Sequence, residues 1–350
     1  MQHETTWVLG EQELGPFEKY FSRALEKCGH SVSYVNIHSL YPGYWKRANN
    51  YFHRFPRRID NSLRAKYISV VNSNLIKDYD RDRPSLIFIY NDCLITPDTI
   101  SFFKKSGSTV VTFLGDDPGY LLPGKKTFLL TVLASDAIIV PDTGWIPGLK
   151  MLDARKIIFS PIGTDPTVFF PFVPSEKEVQ SYSSDIIFIG TGYFLNSWGI
   201  KRAEVLSVLS DLDFKLFGDN LWLEVLEYFP ELKRNFINNR LNANEVNAAC
   251  NCSKIYPVTV NSGVVNGVST RVFDGMASGI FVIAEYKSDL DILFEKDEIV
   301  SFKSKSELRK LAEYYLSNET ERLEMAAISR ERILRDYTLE ALVPKILEQL

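Results

Sequence analysis

Histidine, cysteine and long apolar runs are what this chain has least of. Its 350 residues include four histidines, all at or before His53, and four scattered cysteines, Cys28, Cys93, Cys250 and Cys252. A zinc site needs about four such ligands at set spacings. Only Cys250 and Cys252 are neighbours, so free thiols are expected and a metallohydrolase is disfavoured. No apolar run reaches the roughly 20 residues that span a bilayer. The start, Met1-Gln-His-Glu-Thr-Thr, has no basic region, and Trp7-Val-Leu-Gly10 is too short for the apolar core of a signal peptide, so the expected compartment is the cytoplasm. A net charge of −4 gives no electrostatic reason to expect nucleic acid as a partner. Internal repeats and low-complexity tracts are absent as well.

What the chain does have is the composition of a soluble globular protein, 45% hydrophobic and 24% charged, at a length that suits two domains. Short apolar runs alternate with helical spacing. Strands are expected at 7–10, 32–37, 85–90, 109–114, 137–140 and 157–160, with a helix from Pro16 to Cys28. Continuously apolar strands separated by helices indicate a parallel sheet covered on both faces, a Rossmann-like α/β domain. The pattern breaks between residues 161 and 184, where Pro161-Ile-Gly-Thr-Asp-Pro166 and Phe170-Pro-Phe-Val-Pro-Ser175 precede a polar stretch, Glu176 to Ser184. This is the best linker candidate. A second alternation follows, with strands at 185–190, 214–217, 254–260, 280–284 and 299–302 and helices from Ser306 onward. The expected domains are 1–165 and 166–336.

The most informative stretch is Asn261 to Ala284, a glycine-loosened loop, a short helix and a buried strand. Ser269, Thr270 and Arg271 at the helix start offer hydroxyls, backbone N–H groups and a bidentate guanidinium to an anion. Asp274 follows one turn later on the same side. A diphosphate on the helix start with a carboxylate for ribose hydroxyls is the chemistry of nucleotide binding. The same residues would also make a plain helix cap with a surface Arg–Asp pair. Gly190-Thr191-Gly192 follows a strand and would let phosphates approach the backbone, or make a simple tight turn; it lacks a G-x-G-x-x-G pattern and a P-loop lysine. Phe217-Gly218-Asp219-Asn220 ends a strand at the edge where α/β sheets bind ligands, and reads equally as a turn. Gly115-Asp116-Asp117-Pro118 ends another strand, where a carboxylate would serve as a general base on an acceptor hydroxyl or simply cap a helix. Asp78-Tyr-Asp-Arg-Asp82 reads as a solvated loop, and His30 as a structural turn residue. The segment 44–83 is rich in basic and aromatic residues, suited to an anionic acceptor or a membrane surface, or to a solvated helical face over core aromatics.

Taken in order, Asp116-Asp117-Pro118, Pro161 to Asp165, Ile189 to Gly192, Phe217 to Asn220, Asn266 to Gly279 and Asp336-Tyr-Thr338 make the chain resemble GT-B glycosyltransferases over nearly its whole length. The likeness is above all to the CgeB-like group (spore maturation protein CgeB), with a family-4-like C-terminal domain. The resemblance implies two facing Rossmann-like domains with a cleft, the first for the acceptor and the second for a nucleotide-sugar donor, and a C-terminal helix, 337–350, returning to the first. It implies Ser269, Thr270 and Arg271 on the phosphates, Asp274 on the ribose, and a basic residue, Lys201 or Arg202, against the diphosphate. Family-4 enzymes carry two glutamates eight positions apart; here those positions are Asn266 and Asp274. The expected activity is transfer of a sugar from a nucleotide diphosphate, most plausibly UDP, to a hydroxyl of a glycan, lipid-linked or protein acceptor, without metal or separate cofactor. A non-catalytic nucleotide-sugar binding module and a nucleotide-sugar epimerase or hydrolase are the alternatives.

Overall fold

Runs such as Leu86-Ile-Phe-Ile-Tyr90 and Ala137-Ile-Ile-Val140 are apolar at every position because their strands are covered on both faces. The computed structural model describes residues 5–10, 17–41, 43, 57–91, 94–118 and 128–350. They form two units, Met1–Ser160 together with Val343–Leu350, and Pro161–Leu342.

The first unit has a parallel six-stranded sheet of β1 (Thr5–Gly10), β2 (Ser31–Asn36), β3 (Leu86–Tyr90), β4 (Thr109–Phe113), β5 (Ala137–Val140) and β6 (Ile157–Phe159), in the order β2-β1-β3-β4-β5-β6. Successive side chains alternate between the faces. Trp7, Leu9, Ile87 and Ile89 thus pack with Tyr67, Val71, Leu75 and Tyr79 of the helix Arg57–Asp82. Phe88 turns the other way and meets Phe21 of the helix Phe17–Lys27 edge-on, with ring centroids 4.9 Å apart.

The second unit repeats the layering with β7 (Ser184–Ile189), β8 (Phe214–Gly218), β9 (Phe236–Asn238), β10 (Ser253–Val258), β11 (Phe281–Glu285) and β12 (Val300–Phe302). The order β12-β11-β10-β7-β8-β9 is all parallel. Numbered within the unit and read from the far edge this is 3-2-1-4-5-6, the order of dinucleotide-binding sheets, with its reversal between β7 and β10. Phe188, Leu216, Trp222 and Phe281 lie in its core.

Three local readings change. The polar stretch after Ser175 is no linker but a helix, Glu176–Tyr182, closed by a capping box: Glu178 N–H donates to Ser175 Oγ, and Ser175 N–H donates to the Glu178 carboxylate at 2.7 Å. The proline-rich segment before it is fastened to the helix Ala243–Asn251, since Asn247 and Asn251 accept from Phe170 N and Phe172 N at 3.1 and 2.8 Å. Asp78–Asp82 is the last turn of the helix Arg57–Asp82, where Arg81 pairs with Asp78 and Asp82. The three-residue edge strand β9 had no pattern long enough to read. His30 does sit in a turn, its Nδ1 2.8 Å from Thr6 Oγ1. Cys93 and residues 44–56 of the basic-aromatic segment lie outside the described residues, among which no helix is long and apolar enough to cross a membrane.

Candidate functional site

Where a parallel sheet reverses its order, the connections leave to opposite faces and open a crevice at the carboxyl ends of the two central strands. In the second unit these ends are Gly190, after β7, and Thr259, after β10. Arg202, from the helix Ser197–Leu206, joins them: its Nη1 donates to Thr191 O at 2.7 Å and its Nε to Thr259 Oγ1 at 3.1 Å. Arg202 is only 2% exposed, and its guanidinium lies over the rings of Tyr193 and Phe188, 4.3 and 5.3 Å from their centroids. No carboxylate of the described residues pairs with it. Burial, and then the nearby charge of Arg271, push its pKa down to about 10. A buried cation without a counter-ion is costly, and an anion arriving here would relieve that cost.

Tyr193 supplies the aromatic ring that lies nearest this charge. Its hydroxyl accepts from Asn261 Nδ2 at 3.1 Å, and Trp198 packs edge-on against its ring at 5.4 Å. Burial opposes ionisation of the phenol, but Arg202 and Arg271 outweigh it, and its pKa lies below the ordinary value. Tyr193 and Phe194 both have left-handed backbones, φ +60° and +63°, which cost roughly 1–3 kcal/mol each outside glycine.

The Gly190–Gly192 turn is held from behind. A Cβ on Gly192 would stand 2.3 Å from Trp222 N, and one on Gly218 would stand 2.3 Å from the Trp222 ring. Trp222 Nε1 donates to Gly190 O at 2.8 Å, while Asp219 Oδ1 accepts from Gly192 N and Leu221 N at 3.1 and 3.2 Å. The carboxylate of Asp219 therefore shapes the turn. A Cβ on Gly190 would come 3.2 Å from Arg271 Nη2, which brings that guanidinium to the same turn.

Arg271 belongs to the helix Thr270–Ser278, whose N-cap Ser269 accepts from Arg271 N at 3.4 Å and whose end is set by Gly279 at φ +84°. Val272, Phe273, Met276 and Ala277 bury one side, leaving Thr270, Arg271 and Asp274 half-buried on the other. Asp274 Oδ1 accepts from Thr164 Oγ1 at 2.7 Å. Burial pushes its pKa up to about 7; the Thr164 hydrogen bond and Arg271 oppose this, and Asp165 adds to it. Asn266 lies in the preceding loop, where its carbonyl accepts from Asp289 N at 3.0 Å. A small apolar hollow lined by Val258, Val260, Ser269 and Glu285 adjoins the helix start.

Lys201 takes no part in this cluster. It pairs with Glu285 and donates to Val260 O at 3.0 Å. In the first unit, Asp116 is exposed at the end of β4 and accepts from Asn91 Nδ2 at 2.8 Å, with Asp117 half-buried beside it. Among the described residues no group of three or more His, Cys, Asp or Glu is placed to hold a metal ion, and Cys28, Cys250 and Cys252 are free thiols. The structure thus gathers Gly190, Thr191, Gly192, Arg202, Gly218, Asp219 and Arg271 around one turn. It adds Tyr193, Trp222, Thr259 and Asn261, which sequence reasoning missed; only Asn261, at the head of the helix-start motif, carried a local signal.

Residues 201–348 match a family model described as glycosyl transferase-like. No curated protein matches the chain in sequence. Solved structures match it over nearly all its length. The sucrose-phosphate synthase of Thermosynechococcus elongatus is 12% identical, with 99% of this chain and 98% of that one covered and a TM-score of 0.68. The E. coli trehalose-6-phosphate structure bound with UDP-2-fluoro glucose is 11% identical, with 99% of each chain covered and a TM-score of 0.65. Anabaena HepE in complex with UDP is 12% identical, covered at 99% and 98%, with a TM-score of 0.61. The α/β fold with two parallel six-stranded sheets is that of GT-B proteins, and its C-terminal part is glycosyl transferase-like in sequence.

Proposed function

We propose that this chain is a glycosyltransferase of the CgeB-like kind, moving a hexose from a UDP-sugar to a hydroxyl of a glycan, lipid-linked or protein acceptor. One observation carries the reading: two guanidiniums that form no ion pair within 4 Å among the described residues, one of them buried, meet a glycine turn at the switch point of a dinucleotide-type sheet. The likeness to structures holding UDP and UDP-2-fluoro glucose supports it.

In this reading the diphosphate lies against Gly190–Gly192 and the N-terminus of the helix Thr270–Ser278. Arg271 and Arg202 face the charge that grows on the leaving UDP as the sugar–phosphate bond breaks. Stabilisation of developing charge by fixed donors is usually the largest electrostatic contribution to such a reaction. With two guanidiniums supplying positive charge, the proposal needs no metal ion and no separate cofactor. Asp274, with one oxygen taken by Thr164, has the other for a ribose hydroxyl. The first unit takes the acceptor, with Asp116 or Asp117 orienting its hydroxyl or accepting its proton.

Asn266, an amide where family-4 enzymes carry an acid, favours a second reading, a donor-binding module without turnover. Calorimetry with UDP, GDP, TDP and ADP, followed by donor turnover across acceptors, separates the two. UDP binding that Arg271→Ala weakens about 100-fold is expected, together with sugar release or transfer. Absence of binding by every nucleotide would sink the donor-site assignment.

A further inference from the structure

Thr164 lies 110 residues before Asp274 in the chain, yet its hydroxyl donates to Asp274 Oδ1 at 2.7 Å. Thr164 is buried and held from both sides. Its N–H donates to Tyr337 O at 3.1 Å, and its carbonyl accepts from Leu339 N at 3.0 Å, so that Thr164 and Thr338 pair as a parallel bridge. Gly163, just before it, has φ +74°, and a Cβ there would lie 2.8 Å from Tyr337 O, so only glycine lets the two segments come this close. The neighbouring carboxylate of Asp165 is engaged in its own loop, where Oδ1 accepts from Thr167 N and Thr167 Oγ1 at 2.8 and 2.7 Å. Asp274 therefore meets one hydroxyl whose position the backbone fixes, and its Oδ2 has no hydrogen-bond partner among the described residues. The terminal torsion of an aspartate is broad, and a short bond from an immobile donor narrows it.

We propose that Thr164 is a positioning residue of the donor site: it holds the Asp274 carboxylate so that Oδ2 accepts from a ribose hydroxyl, and the site thereby selects nucleotides that carry that hydroxyl. The inference rests on the donor-site reading above and adds to it a residue of segment 161–165, outside every strand and helix of the sheet layers. An ionised carboxylate only accepts, and with Oδ1 already taken, the remaining oxygen suits a donor such as a sugar hydroxyl. Hydrogen bonds to charged groups are strong when short and aligned, so a carboxylate free to turn would hold the ribose less well. A purely structural bond makes a different prediction. If the Thr164 hydroxyl did no more than tie segment 161–165 to the helix Thr270–Ser278, its loss would lower stability and change the affinity of every nucleotide alike. Positioning confines the loss to ligands with the hydroxyl.

The test is calorimetry on the full chain at pH 8, with UDP, 2′,3′-dideoxy-UDP and inorganic pyrophosphate as probes. The wild type is expected to bind UDP roughly 10- to 100-fold more tightly than the dideoxy compound, the range of one hydrogen bond to a charged group. Thr164→Val keeps the shape of the side chain and removes the hydroxyl. It is expected to weaken UDP by roughly 3- to 10-fold while the dideoxy compound and pyrophosphate keep their wild-type affinities. Thr164→Ser, which restores the hydroxyl, is expected to restore the preference for UDP. Thermal melts establish that the variants are folded, and Thr164→Ala takes the place of Thr164→Val if the valine does not fold. An unchanged preference in the variant without the hydroxyl, or equal weakening of UDP and the dideoxy compound, overturns the inference and leaves the donor site standing. So does a wild type that binds the two nucleotides equally. Failure of UDP and pyrophosphate alike to bind the wild type overturns the donor site and the inference with it.

Discussion

Gly192→Ala is the sharpest test of how the turn is built. Gly192 is absent from the residues with positive φ, so its backbone conformation is open to alanine and the objection is purely steric. The new Cβ would lie 2.3 Å from Trp222 N, 2.5 Å from Leu221 C and 2.6 Å from Trp222 Cα. Ordinary contacts are about 3.5–4 Å, so the shortfall exceeds about 1 Å, and all three atoms are backbone that no rotamer change can move. The turn must therefore shift by about that distance. Three hydrogen bonds span the gap that opens: Gly192 N to Asp219, Trp222 Nε1 to Gly190 O, and Arg202 Nη1 to Thr191 O. At about 1 kcal/mol net for the neutral bond and about 2 for each of the two that involve a charged group, the expected loss is on the order of 5 kcal/mol. For a unit of this size that lowers Tm by roughly 10–20 °C. Calorimetric melts of the variant and the wild type measure it. Gly148→Ala is the control, since a Cβ there meets nothing within 4 Å, and its Tm is expected to hold or rise slightly. A Gly192→Ala protein melting within about 2 °C of the wild type would refute the steric account.

Asp274 gives a pH signature. Its folded pKa is raised, so the neutral form stabilises the fold at low pH, and that contribution is lost as pH rises through about 7. Asp274→Asn, which stays neutral, is expected to exceed the wild type in stability at pH 8 by on the order of 3 kcal/mol, with the difference shrinking as pH falls below 7 and vanishing below the unfolded value of 3.8, as read from urea melts between pH 3 and 8. Arg271→Lys keeps the charge but loses the planar fork, so it is expected to recover only part of the UDP affinity lost in Arg271→Ala, by roughly 10-fold, in calorimetry. Lys201 and Glu285 form an ion pair that also takes Val260 N–H and Val260 O, so a double-mutant cycle with Lys201→Met and Glu285→Gln is expected to show a coupling of about 1–2 kcal/mol in denaturant melts. A coupling near zero would mean that the pair does not brace the end of β10.

Much of the fold was legible. The apolar runs around Ile87, Ile138 and Ile186 read as strands because burial on both faces leaves no polar position in them. The α/β GT-B architecture follows from that alternation and from the resemblance, and the structure bears it out. What escaped was short or polar. Phe236–Asn238 is too brief to show a period, and Glu176–Tyr182 buries no residue, so only its Ser175–Glu178 box marked it. The helix start from Ser269 to Asp274 was legible because its groups are contiguous in the chain.

By itself, then, the sequence determined where strands and helices lie and that a polar, anion-suited helix start follows Asn261. Burial and backbone preference act over a few residues and leave their pattern there. Only the tertiary structure decided which groups share the site. The reversal between β7 and β10 sets Thr191 beside Thr259, and Arg202 reaches both from a helix between them in sequence. That junction, and the Tyr193 phenol lying over it, depend on sheet order and on a left-handed backbone, neither of which leaves a periodic trace in the chain.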